Sequence, residues 1–355
     1  MNAVALLILA ILPFTIATAP YRFDFPRDHG AHFGYQSEWW YFTGHLRAPS
    51  GRRFGFELTI FRFGMRPGLM KVPAGESRWH GSEVYPAHFA ITDESARTFV
   101  HDERFERSAL GMGFAAAGTL DVRAGDWSIE GTNPIRLRAE DRGAASALDL
   151  VLRPEKPPAI NGEDGISRKG SCRSCASHYY SMTRLSTAGT LRAGGTTYAV
   201  RGLSWMDHEY GSDELQPSQS GWDWFALQLD DDREVMLYRL RRKDGGTTPQ
   251  SSGSLVLPDG RVRHILLAQF RTSAIGSWKS PHTGAVYPSG WRVRIPSEGL
   301  DVVVTPVLHD QELVDAQLGV AYWEGDCDVR GVDRSRPVRG SAYVELTGYA
   351  GALRL

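Results

Sequence analysis

Apolar and polar positions alternate along this chain in short runs, and turn residues close almost every run. "RRFGFELTIFRF", 52–63, alternates and is rich in aromatics, while "WSIEG", "IRLRAED" and "ALDLVLRP" are shorter runs between Trp127 and Pro154. A period of two puts successive side chains on opposite faces of an extended strand; the 3.6 period of an amphipathic helix is nearly absent. "DWFALQLDDDREVMLYRLRR", 223–242, reads as a hairpin turning at Asp230-Asp231-Asp232. Asp259-Gly260, between alternating flanks, reads as a type I′ turn. Strand patterns continue through "SGWRVRIPSEGLDVVVTPVL" and "GSAYVELTGYA" towards the C-terminus. The pattern predicts an all-β protein of antiparallel barrels or curved sandwiches.

One segment interrupts the rhythm. "RPEKPPAINGEDGISRKGSCRSC", 153–175, is rich in Pro, Gly and charge and has no periodicity, so it reads as a long connection or an ordered loop over a site. The stretches on either side echo each other. Each opens on a tryptophan-bearing strand followed by a hairpin, and each later carries a Trp near a Gly, in "DWSIEG" and "YWEGDCDVRG". We expect two related β-domains packed side by side, over residues 20–170 and 171–355.

The first nineteen residues differ from all that follows. "AVALLILAILPFTIA" carries no charge and is followed by "ATA" and Pro20, the form of a secretory signal peptide over 1–19. No Lys or Arg precedes the apolar run, and as an uncleaved anchor it is short of the ~20 residues a span needs. The expected location is exported, periplasmic or secreted, with membrane association as a further option. In an oxidising compartment Cys172 and Cys175 of "CRSC" can close a small disulfide, leaving Cys327 free or buried. A zinc reading would have only these two thiols and His178 to work with.

Composition adds exclusions. A net charge of -1, with the arginines dispersed along the chain, argues against a nucleic-acid partner. The sequence holds no G-x-S-x-G elbow, no HExxH, and neither a P-loop nor a GxGxxG. His29, His32 and His45 match no familiar metal-ligand spacing, so neither metal nor cofactor is expected.

Three clusters carry candidate chemistry. In "HFGYQSEWWYFTGHL", Glu38 stands directly before Trp39, Trp40 and Tyr41. Such an acid either faces water from a core strand or sits in an aromatic pocket, where desolvation raises its pKa and makes it a proton donor. In "SWMDHEYGS", Asp207, His208 and Glu209 run between Trp205 and Tyr210. Strand alternation puts Asp207 and Glu209 on one face and His208 on the other. "GWDWF" likewise sets Trp222 and Trp224 opposite Asp223, as Glu38 and Trp40 are set opposite Trp39 and Tyr41.

The motifs "FPRDHGAHFGYQSEWWYFTGHL", "HYYSMTRLSTAGTL", "GLSWMDHEYG", "GWDWFALQLDDD" and "YWEGDCDVRG…GSAYVELTGYA", in this order, resemble the AttH-like family. That family is related to the bacterial carotenoid 1,2-hydratases (hydroxyneurosporene synthases) and often carries the label "predicted secreted hydrolase". The resemblance implies a pair of lipocalin-like β-domains around a cavity for an apolar small molecule. It implies a functional role for His208. Two positions depart from the carotenoid hydratases: Tyr210 stands where they carry Trp, and Tyr238-Arg239-Leu240 lacks the aspartate of their Tyr-x-Asp.

Together these observations lead us to expect an exported hydratase or lyase acting on an isoprenoid- or lipid-like alkene. A carboxyl group protonates carbon, tryptophan faces stabilise the cation, and water traps it. Asp207 is the expected acid, His208 the base or water-orienting group, and Glu38 the alternative acid. Trp39, Trp40, Tyr41, Tyr180, Trp205, Tyr210, Trp222, Asp223, Trp224 and Tyr238 are the expected ligand contacts. A non-catalytic lipocalin-type carrier is the rival reading; a secreted hydrolase would need a nucleophile that the sequence does not display.

Overall fold

Strand Ser37–Arg47 pairs antiparallel with Arg53–Gly64 on one side and with Thr196–Gly211 on the other. A computed structural model, describing residues 13–65, 81–212, 215–315 and 317–351, extends this trio into a 13-stranded sheet. Its edge strands, Thr98–Arg107 and Gly113–Ala115, come back into contact, so the sheet nearly closes as a barrel. A second, 10-stranded sheet runs from Gln219–Leu229 to Arg336–Leu346. Helical structure among the described residues is limited to single 3-10 turns, as the period-two patterning requires.

Alternation assigns each face. On Ser37–Arg47 and Arg53–Gly64, Trp40, Phe42, Phe54, Phe56, Leu58 and Ile60 point into the barrel and are fully buried. Phe225, Leu227 and Leu229 fill the second sheet's core in the same way. The opposite faces, carrying Tyr41 and Glu57 on one sheet and Trp224 and Glu324 on the other, are pressed together into a seam. Gly55 belongs to that seam: a Cβ there would lie 2.7 Å from the Asp326 carboxyl group. His45 donates to the same carboxylate across the seam at 2.9 Å.

Two expectations, the division into halves and the type I′ turn, meet a different arrangement. Strands Ala176–Ala193 and Thr196–Gly211, placed by sequence in the second half, are hydrogen-bonded into the first sheet. The long hairpin they form bridges Ser37–Arg47 to Ala147–Pro154, and the chain changes sheets only between Gly211 and Gln219. The turn at Asp259-Gly260 is not type I′: Gly260 has φ +83° but Asp259 is not left-handed, and Pro258 fixes the start of the turn. The interruption at 153–175 is ordered, with Ala159–Ile160 and Ser167–Arg168 pairing onto Ala176–Ala193. Cys172 and Cys175 are joined as a disulfide, and Cys327 is a buried free thiol. Residues 1–12 of the expected leader lie outside the described residues. Of the rest, Thr15 N donates to Gly34 O at 2.8 Å, and Ala17 is buried with Ile166 and Ala176.

Candidate active site between the two sheets

The seam holds a cavity of about 90 Å³. The barrel contributes Trp39, Tyr41, Phe61 and Tyr179; the second sheet contributes Trp222, Trp224, Tyr238 and Tyr322. The walls are thus largely aromatic. Into them are set four carboxyl groups, Asp207, Glu209, Glu324 and Glu345, and one ammonium, Lys169.

Asp207 is held by donors on both oxygens. Oδ1 accepts from Ser181 Oγ at 2.5 Å and Trp205 Nε1 at 2.7 Å, and Oδ2 accepts from Tyr179 Oη at 2.5 Å. Tyr179 in turn accepts from Trp224 Nε1 at 3.1 Å. Burial outweighs these bonds and pushes the Asp207 pKa up to about 7. Glu209 has an ion-pair partner: Lys169 Nζ sits 2.6 Å away, and Ser177 donates to it as well. Lys169 also lies over the Tyr238 ring, 4.4 Å from its centroid.

Glu324 and Glu345 are directly opposite one another on strands Val320–Asp333 and Arg336–Leu346. Tyr41 Oη donates to Glu324 at 2.6 Å, and Trp222 Nε1 donates to Glu345 at 2.7 Å. Burial, then the neighbouring Glu345 and Glu57, raise Glu324 well above the usual carboxylate range. Burial lifts Glu345 to about 7 although it keeps partial exposure on the cavity side. Glu57, behind Thr59, is raised in the same sense by burial and Glu345. Burial therefore favours the neutral carboxyl form in this cavity, the form that proton donation to carbon needs.

Glu38 and His208 lie elsewhere, on the barrel's inner face. Trp40 pairs with His208 across strands and stacks on its ring at a centroid distance of 4.9 Å. His208 Nε2 donates to Glu38 Oε1 at 2.8 Å, as does His32 Nδ1, while Arg62 Nε reaches Oε2 at 2.9 Å. Burial alone would raise the Glu38 pKa, but Arg62, His208 and His32 outweigh it and hold the group well below its ordinary value. Glu38 thus fits neither of its two readings: it is buried rather than facing water, and Arg62 beside it favours the ionised carboxylate over a proton donor. Burial lowers the His208 pKa, so its ring is neutral. The ligand atoms of His32, Glu38 and His208 lie within 4.8 Å of one another, close enough to hold one metal ion. Arg62 already neutralises the carboxylate, and the set is satisfied as a hydrogen-bond network.

The remaining sequence candidates divide between these two places. Trp39, Tyr41, Trp222, Trp224 and Tyr238 line the cavity with Asp207, and Trp205 backs it. Trp40, Tyr180 and Tyr210 are on the inner face with His208: Tyr180 Oη is 3.1 Å from His208 Nδ1, and Tyr210 stacks on His32. Asp223 is on neither. It turns away from Trp222 and Trp224 and pairs with Arg241 at 2.8 Å and Arg239 at 3.0 Å. Asp207 and His208 are separated by strand alternation with no bulge between them. Sequence reasoning passed over Lys169, Tyr179, Tyr322, Glu324 and Glu345. Its available signal was an acid among aromatic and apolar neighbours in "AYWEG" and "AYVEL", the same signal that singled out Glu38.

A family model described as AttH-like matches residues 16–349. The crystal structure of an AttH protein from Nitrosomonas europaea is 32% identical, with TM-score 0.81, covering 95% of this chain and 99% of that one. Kievitone hydratase from Nectria haematococca is 17% identical with TM-score 0.69, covering 96% of this chain and 97% of its own, and shares the fold. No curated protein matches the sequence.

Proposed function

This chain belongs to the AttH-like family, and from that premise we propose that it is an exported, cofactor-independent hydratase that adds water across an alkene of an apolar, isoprenoid- or lipid-like molecule held between the two sheets. The observation that carries this reading is the pair Glu324–Glu345, two opposed carboxyl groups in an aromatic cavity. A carrier of apolar ligands gains nothing from burying acids against its cargo and bears their desolvation cost. An alkene hydratase needs at least one of them neutral. A hydratase that shares the fold supports the reaction class. The Cys172–Cys175 disulfide and the apolar N-terminal run support export.

A proton held by the Glu324–Glu345 pair passes to one alkene carbon. The cation formed on the other carbon faces the rings of Trp222 and Trp224. Water adds to that carbon and gives up a proton, and dehydration is the same path reversed. Geraniol, with two trisubstituted alkenes, is a suitable probe. Incubation of the purified protein in heavy-oxygen water should yield an alcohol carrying the label, and the Glu324→Gln, Glu345→Gln double variant should yield none. A wild-type protein that incorporates no label from geraniol or from a panel of apolar alkenes would overturn the proposal.

A further inference from the structure

We infer that Tyr322, backed by His88 and Asp315, accepts the proton that water releases in this cavity. The inference rests on the hydratase reading and completes it. Tyr322 lies two residues before Glu324 on one strand, so the two share a face, and both line the cavity. The Tyr322 hydroxyl is 2.7 Å from His88 Nδ1, and His88 Nε2 is 3.0 Å from Asp315 Oδ2. The other Asp315 oxygen accepts the backbone N–H groups of Gln317 and Leu318, each at 2.8 Å. His88 comes from the barrel, Tyr322 and Asp315 from two strands of the second sheet, and all three are buried. One buried phenol needs one partner. A histidine and an aspartate lined up behind it instead reproduce the order of acceptor, base and orienting group found in catalytic triads.

The direction of transfer follows from the hydrogen bonds. Asp315 accepts from Nε2–H and so leaves the Nδ1 lone pair to accept the Tyr322 O–H. The lone pairs of the phenol oxygen are then available to the cavity. As the water oxygen bonds to the cation, one of its O–H bonds breaks towards Tyr322 Oη. The Tyr322 proton moves at the same time to Nδ1, giving an imidazolium paired with Asp315, and no free phenolate forms. Reverse transfer through Tyr322 to the Glu324 carboxylate, on the same strand face, restores the starting state. Water and the alkene are the sole reactants. Tyr322 is the catalytic residue here; His88 and Asp315 are positioning residues.

Deuterated, heavy-oxygen water separates the two half-steps with geraniol as the probe. Protonation of carbon by the carboxyl pair puts deuterium into recovered alkene, whereas capture of water puts heavy oxygen into the alcohol. Tyr322→Phe and His88→Gln should retain deuterium exchange and lose oxygen incorporation by at least tenfold; full oxygen incorporation in Tyr322→Phe overturns the inference. A wild-type protein inert in both readouts overturns the hydratase reading instead. Nitrogen-15 NMR of histidine-labelled protein then judges the relay by itself. His88 should carry its proton on Nε2, and its Nδ1 resonance should move in Tyr322→Phe; a proton on Nδ1, or an unmoved resonance, removes the relay.

Discussion

Glu324 and Glu345 face each other across adjacent antiparallel strands inside the seam between the two sheets. Like charges at directly opposed positions repel, and in a desolvated site the pair lowers its energy by keeping a proton. The consequence for stability has a definite sign. The unfolded chain releases the Glu345 proton near 4.5, whereas burial in the folded chain holds it up to about 7. The native state binds more protons across that window, so stability is greatest below it and falls as pH rises through it. Glu345→Gln mimics the neutral acid and should remove up to about 3 kcal/mol of that loss. Thermal denaturation from pH 5 to pH 8 tests this: the variant should show a flatter decline in Tm, and an identical slope would mean that Glu345 is already ionised at the acid end.

How much of this was legible beforehand follows from strand geometry. Alternation alone separated Asp207 and Glu209 from His208, and Trp222 and Trp224 from Asp223, as the paired strands show. It could not say which face meets solvent, which meets the barrel interior and which meets a second sheet. Glu324 and Glu345 occupy the polar positions of ordinary alternating runs, and a polar position faces water only when nothing covers it. The second sheet does cover it. Glu38 posed the converse problem: an acid beside two tryptophans reads as desolvated, while its true partner, Arg62, stands on the neighbouring strand 24 residues away. Lys169 came from a segment with no period at all, where patterning has nothing to say.

Arg62 ties the inner cluster together. It bonds to Glu38 at 2.9 Å and Glu83 at 3.2 Å, and its Nη2 reaches the carbonyls of His32 and Tyr35, each at 3.0 Å. Arg62→Met keeps the length of the side chain but leaves two buried acids without their cation, a loss of roughly 3–5 kcal/mol by the usual cost of breaking a buried pair. Chemical denaturation should show this as a lower midpoint. Because the cluster lies on the barrel's inner face, cavity chemistry measured at low temperature on the folded fraction should be retained. A variant as stable as wild type would show that Glu38 and Glu83 find other partners.

Gly55 sets how closely the sheets approach. A methyl group there meets the Asp326 carboxyl group at 2.7 Å, and that carboxylate is already bonded to His45. Gly55→Ala should therefore cost about 1–3 kcal/mol, the range for overpacking a tight contact, despite the ordinary gain in strand propensity from losing a glycine. Urea titration measures it. An increase in stability would mean that the seam relaxes freely, and would weaken the case for a cavity of fixed shape.

Trp222 gives the most direct handle on the acid itself. Its indole N–H donates to Glu345 Oε2 at 2.7 Å, a bond that favours the ionised carboxylate and pulls the pKa down against the effect of burial. Phenylalanine retains a ring on the wall but removes the donor. A hydrogen bond to a charged group is worth roughly 1.5–3 kcal/mol, so Trp222→Phe should raise the Glu345 pKa by about one to two units. Carbon-13 NMR of labelled glutamate carboxyl groups reads this directly. With Glu345 assigned through Glu345→Gln, its midpoint should move upward in Trp222→Phe. In turnover, an acid that stays protonated to higher pH should carry hydration activity further into the alkaline range. A midpoint that moves down would mean that the indole pays a different partner in solution, and the assignment of Glu345 to the proton-sharing pair would have to be given up.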